Sequence, residues 1–189
     1  QRQAIPFENL DICLGREISI DPGTVFAKLV TARRGGYCFE QNMLLAAALA
    51  AMNVPNRPVL ARVWLGATDT PPFTHLALLA EAEGESWLMD AGFRGGYCPP
   101  LRLNDGVQAT TFDGSVYRLT EDDAFGWVLD QMIGGAFVRQ YSFTLAEVFP
   151  ADIQLSNHWT STNRASRFRQ NLIVNRITDG GRVSLRNGS

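Results

Sequence analysis

The chain is short of the residues from which metal centres and disulfide scaffolds are made. Its 189 residues include three cysteines and two histidines. Cys13, Cys38 and Cys98 form no Cys-x-x-Cys pair and leave one over, which argues against both a disulfide framework and a zinc knuckle; no metal is expected. No apolar run approaches the roughly 20 residues that span a bilayer, and no signal peptide opens the sequence, so the expectation is a cytoplasmic protein that is no membrane partner. Charge of one sign is missing too. Seventeen Lys and Arg against nineteen Asp and Glu give a formal charge of -2, well mixed along the chain, which gives no footing for nucleic acid. Internal repeats and low-complexity tracts are also lacking. What remains, 46% hydrophobic and 19% charged, is the composition of one or two globular domains with a buried core.

The stretch that organises the rest is 33–42, RRGGYCFEQN. Before it, Asp21-Pro22 reads as an N-cap with proline at the first helical position, and Val25, Phe26, Leu29 and Val30 recur at helical spacing, a helix expected to close at Gly35. After it, Leu44, Leu45, Ala48, Leu49 and Met52 form one face of a second helix that runs out before Asn53-Val54-Pro55. Cys38 therefore falls near a helix N-terminus, where unpaired amides and the positive dipole end favour a thiolate. A cysteine beside a helix is commonly just a small buried hydrophobe, so a partner base is what separates a nucleophile from packing.

From residue 57 the period changes to two. Val59, Ala61, Val63 and Leu65 alternate with Leu60, Arg62 and Trp64 as in a strand. Residues 75–80 and 86–90 then flank a turn at Glu83-Gly84 and read as a β-hairpin. With Leu79 opposite Ser86, His75 faces Asp90; a looser turn shifts this by one or two residues. Further strands are expected at 117–119, 127–132 and 137–143, a short helix opened by Thr144 to Glu147 and stopped by Pro150, and a closing hairpin of 169–177 with 182–186. The fold class is α+β: a helical domain over 1–55 carrying the cysteine, then an antiparallel β-barrel domain over 56–189. Cysteine, histidine and aspartate in that chain order suit a nucleophile on a helix, with its base and orienter on a sheet, as in papain-like and transglutaminase-like enzymes.

Five stretches, Ile5-Pro6-Phe7-Glu8-Asn9-Leu10, RGGYCFEQN over 34–42, Thr74-His75-Leu76, Asp90-Ala91-Gly92-Phe93 and Trp159-Thr160-Ser161-Thr162, together resemble the arylamine N-acetyltransferases. The resemblance implies a catalytic triad of Cys38, His75 and Asp90 and a ping-pong reaction. By that resemblance, acetyl-CoA would acetylate Cys38 and leave as free CoA, and an arylamine, arylhydroxylamine or hydrazine would then attack the thioester. It also implies a helical first domain, a β-barrel second domain and an α/β third domain acting as a lid, of which the lid and about 30 N-terminal residues are expected to be absent from this chain. Two positions depart from the family pattern: Arg94 stands where a small residue is common, and Asn163-Arg164 where His-Pro is common. Phe39, Phe93 and Tyr97 are candidates for an aromatic acceptor pocket, and Gly95 and Gly96 for backbone contacts to the CoA pyrophosphate. Core packing and a tight turn are the respective alternatives. Other functions compatible with the same residues are an amide synthase that releases a polyketide chain, a silent binding domain and a thiol protease. Barrel edges left without a lid would favour self-association into a homo-oligomer.

Overall fold

In the computed structural model, described for residues 1, 3–93, 98–178 and 181–187, the period-two region forms one eight-stranded antiparallel sheet. Its strands are β2 (Asn56–Val63), β3 (Phe73–Ala82), β4 (Glu85–Met89), β5 (Leu101–Arg102), β6 (Val107–Thr110), β7 (Val116–Asp122), β8 (Gly126–Ile133) and β9 (Ala136–Phe143). The order β5-β4-β3-β2-β9-β8-β7-β6 curls until the two edge strands, consecutive in the chain, lie at either end of one short loop. The result is a nearly closed barrel. Its interior holds the inward residues of every long strand, among them Val59, Ala61, Ala77, Leu79, Leu88, Leu119, Leu129, Tyr141 and Phe143.

On the other face of β2 and β3 lies the helical layer. Strand β1 (Phe7–Glu8), helix α1 (Leu10–Cys13), helix α2 (Pro22–Phe26) and helix α3 (Cys38–Ala51) precede the barrel. Leu60 and Leu76 pack with Tyr37 and Phe39, while Leu78 and Ala80 pack with Leu49. This double burial explains why the core of β3 reads as an almost unbroken apolar run rather than an alternation. The N-cap expected at Asp21 is present, its carboxylate accepting the Thr24 N–H at 2.9 Å. The helix it starts does not reach Gly35. It loosens into a π turn over Ala27–Thr31, and Arg33 then takes a positive φ of 52°. Gly35 serves instead as a point of close approach, where a Cβ would stand 2.5 Å from the Pro6 carbonyl oxygen.

The segment 144–149 is not helical; the helix begins where the proline was expected to stop it. Helix α4 spans Pro150–Thr162, with Pro150 in the first turn and the Phe149 N–H donating to Asp152 at 2.9 Å. Proline fits there because its fixed φ is helical and the amide it lacks is one the first turn leaves unpaired. After α4 come helix α5 (Arg167–Gln170) and the hairpin of β10 (Ile173–Thr178) with β11 (Gly181–Arg186). Strand β10 pairs with β1, so the C-terminal hairpin joins the helical layer at the front of the molecule. Among the described residues no helix is long and apolar enough to cross a membrane.

Candidate active site

Cys38 is the first residue of α3, and three consecutive polar side chains behind it are buried, which is unusual for an N-terminal turn. Each has a partner. Glu40 accepts from the Tyr37 N–H at 3.0 Å and from Lys28 Nζ at 2.7 Å. Gln41 donates to the Pro6 carbonyl at 3.0 Å, and Asn42 reaches across to the barrel. Arg34 pairs with Glu8 at 2.9 Å and Asp11 at 3.3 Å, while Lys28 takes the Glu40 side. Tyr37 Oη donates to Asn157 Oδ1, tying the same turn to α4.

His75 sits on β3 beside a bulge. Ala61 pairs with His75 and Arg62 with Phe73, so Thr74 is an extra residue whose carbonyl oxygen is 3.8 Å from Cys38 Sγ. The hairpin register differs from the expected one by two residues. Glu83 and Gly84 both have positive φ (56° and 76°) and form a two-residue turn that places Ala82 opposite Glu85 and Leu79 opposite Leu88. Asp90 therefore lies just past the end of β4 rather than opposite His75. The turn at 90–92 brings it back: Asp90 Oδ2 is 2.7 Å from His75 Nε2, with both side chains buried. That turn can approach because residue 92 is glycine, where a Cβ would lie 2.7 Å from Cys38 Cα. The imidazole is wedged between Phe93 and Tyr141, with ring centroids 5.1 and 5.0 Å away.

A cavity of about 360 Å³ opens on this group, lined by Cys38, Thr74, His75 and Phe93 on one side and by Trp159 and Phe168 on the other. Arg167, Arg182 and Arg186 are also among its lining residues. Burial pushes the Cys38 thiol well above its ordinary range, and the nearby Asp90 carboxylate pushes it further. The amides of Phe39, Leu76 and Cys38 oppose this, so the helix N-terminus acts in the expected direction but is outweighed.

Of the residues singled out from the sequence, Cys38, His75, Asp90 and Phe93 come together. Phe39 is fully buried against Tyr37, with ring centroids 5.4 Å apart, and does not line the cavity. Tyr97, Gly95 and Gly96 lie outside the described residues. His158 is exposed and Cys98 is buried in the barrel core. Sequence reasoning missed Tyr141, which no local pattern announces, and Asn42, whose position one helical turn from Cys38 was the available signal.

A buried thiol at a helix start, an imidazole on a sheet and a carboxylate bonded to that imidazole define a site of the cysteine-enzyme type on a helix-plus-barrel frame. A family model described as N-acetyltransferase matches residues 1–189. The chain belongs to the arylamine N-acetyltransferase family. It is 40% identical over 186 residues to an arylamine N-acetyltransferase of Escherichia coli, covering 97% of this chain and 66% of that protein. The structure of the Salmonella typhimurium enzyme superposes with a TM-score of 0.92 at 38% identity, covering 98% of this chain and 68% of that one. A Mycobacterium marinum arylamine N-acetyltransferase, solved in complex with CoA, does so at 0.90 and 30%, covering 98% and 70%. The chain spans about two thirds of the length of the curated relatives it matches.

Proposed function

We propose that this chain transfers an acetyl group from acetyl-CoA to an arylamine, arylhydroxylamine or hydrazine through an acetyl-Cys38 thioester. The observation that carries the reading is the buried His75 to Asp90 bond of 2.7 Å opening on the same cavity as Cys38. An ionised carboxylate only accepts, so Asp90 fixes the proton on His75 Nε2 and leaves Nδ1 as the base. Nδ1 takes the Cys38 proton as sulfur attacks the thioester carbonyl. The resulting imidazolium protonates the departing CoA thiolate, which leaves Cys38 acetylated and His75 neutral. The amine nitrogen then attacks the acetyl carbonyl, its proton passes to His75, and the Cys38 thiol is restored as the amide departs.

The cavity suits such a donor. Its aromatic walls accept a slender thioester arm or a flat acceptor, and Arg167, Arg182 and Arg186 supply the charge that phosphates require. We place the reaction in the cytoplasm, whose reducing conditions keep a thiol such as Cys38 available for acylation.

The test is intact-protein mass spectrometry of wild type and Cys38→Ser after mixing with acetyl-CoA, followed by an arylamine. One acetyl adduct that needs Cys38 and vanishes as acetylated amine forms is the expected result. A folded chain that forms no adduct would sink the reading, and an adduct formed only from longer acyl donors would favour an amide synthase.

A further inference from the structure

We propose that Asn42 is a positioning residue for the acyl-transfer machinery: its side-chain amide decides which Asp90 oxygen faces His75 and ties that carboxylate to the helix carrying Cys38. The side chain is completely buried and lies one turn along α3 from the cysteine. Its Nδ2 donates to the Leu76 carbonyl at 2.6 Å and to Asp90 Oδ1 at 3.0 Å, and its Oδ1 accepts the Ala91 N–H at 2.9 Å. These partners force the orientation of the amide, since two are acceptors and one is a donor.

The consequence falls on Asp90. Its Oδ1 takes both Asn42 Nδ2 and the Gly92 N–H, the latter at 2.8 Å, which turns Oδ2 toward His75 Nε2. Donors converging on a carboxylate favour its ionised form. An ionised Asp90 held in this rotation keeps the proton on Nε2 and so keeps Nδ1 free for the thiol. The bond to Leu76 acts on the same group from the other side, because Leu76 follows His75 on β3. One amide thus joins the nucleophile's helix, the base's strand and the orienting carboxylate. Asn42 itself does not line the cavity, so it acts through Asp90 and His75.

The consequence for turnover rests on the acyl-transfer reading, but the test reads the Cys38 and His75 pair without donor or acceptor. The rate of Cys38 alkylation by iodoacetamide is measured against pH, with peptide mass spectrometry separating Cys38 from Cys13 and Cys98. In the wild type, proton transfer to His75 gives an acid limb of reactivity below the range of an isolated thiol. Asn42→Ser, and Asn42→Asp, which keeps the volume and the acceptor for Ala91, should each lose about 100-fold on that limb. At high pH, where the thiol ionises alone, the rate should change by about threefold or less. A merely structural asparagine would lower the melting temperature and leave the limb in place, so an unchanged limb in either folded variant overturns the proposal. Should neither variant fold, wild-type NMR decides it. The Asn42 side-chain amide signals must shift when Cys38 is alkylated, and static signals refute the coupling. A wild type that has the acid limb but forms no acetyl adduct would end the acetyltransferase reading and leave Asn42's role standing. A wild type without the limb would end Asn42's role.

Discussion

Gly92→Ala is the sharpest test of how the site is assembled. Gly92 has no positive φ, so alanine adds no backbone strain there; only its methyl group matters. That methyl would lie 2.7 Å from Cys38 Cα, 2.8 Å from Asn42 Nδ2 and 2.9 Å from the Cys38 carbonyl oxygen. Carbon atoms rest at about 3.5–4.0 Å, so the 90–92 turn must retreat from α3 by about 1 Å. Two of the three obstacles are backbone, and neither can swing aside. The retreat separates Asp90 and His75 from Cys38, and a 1 Å misplacement lowers a rate by about 100-fold. Overpacking of this kind costs about 1–3 kcal/mol of stability, with about 2–4 °C of melting temperature lost per kcal/mol for a chain this long. The matched control is Gly134→Ala, where φ is +60° and, among the described residues, nothing stands within 4 Å, so that strain of about 1–2 kcal/mol appears without touching the site. Thermal melts and Cys38 acetylation are measured on both. The reasoning fails if Gly92→Ala acetylates within about twofold of wild type, or if Gly134→Ala loses as much activity as it does.

The buried charges beneath Cys38 give a pH-dependent prediction. Burial raises the Glu40 carboxyl and Lys28 pulls it down, while Asp11, raised by burial, is brought below its usual range by Lys28, Arg34 and Arg16. Lys28→Met lets Glu40 rise further, and a raised carboxyl adds stability below its unfolded value and loses it as pH climbs through its folded value. The variant should therefore lose about 3 kcal/mol at pH 7 and regain much of it near pH 4–5, read from urea melts. Phe93→Ala removes a wall shared by the active-site cavity and a second one of about 440 Å³ at the barrel mouth. Acetyl-Cys38 should then hydrolyse faster, seen as a shorter adduct lifetime, with a stability loss of about 3 kcal/mol. Tyr37→Phe leaves Asn157 Oδ1 without its buried donor and should cost about 1–3 kcal/mol in a denaturant melt while leaving the Cys38 alkylation profile unchanged.

What the sequence disclosed depended on how local its cause was. The start of α3 and the N-cap at Asp21 are written within four residues of where they act, and both are where they were expected. The hairpin register was off by two because Glu83 adopts the left-handed conformation usually signalled by Asn or Asp before glycine. Helix α4 escaped notice because its sequence is largely polar, leaves Leu155 71% exposed, and follows a Thr-x-x-Glu spacing that imitates a helix start. Phe39 was a reasonable aromatic candidate beside Cys38, yet adjacent helical residues point about 100° apart, and its direction is into the core. The pairing of β1 with β10 spans nearly the whole chain and has no local signature.

The thiol shows the same division at the level of chemistry. From the sequence, Cys38 at a helix N-terminus should be an easily ionised cysteine, and the amides that argument invokes are indeed turned toward it. Enclosure is not a local property, and here it reverses the balance: burial, and after it the Asp90 carboxylate, push the thiol up against those amides. The helix N-terminus by itself does not lower this thiol below its ordinary range. In the proposed reaction, activation comes from moving the proton to His75, whose charge Asp90 offsets at 2.7 Å, so that reading makes reactivity depend on the geometry of the 90–92 turn. The positions expected to be sensitive are then Gly92, where a Cβ would meet Cys38, and Asn42, which donates to Asp90, neither of which is itself a nucleophile, an acid or a base.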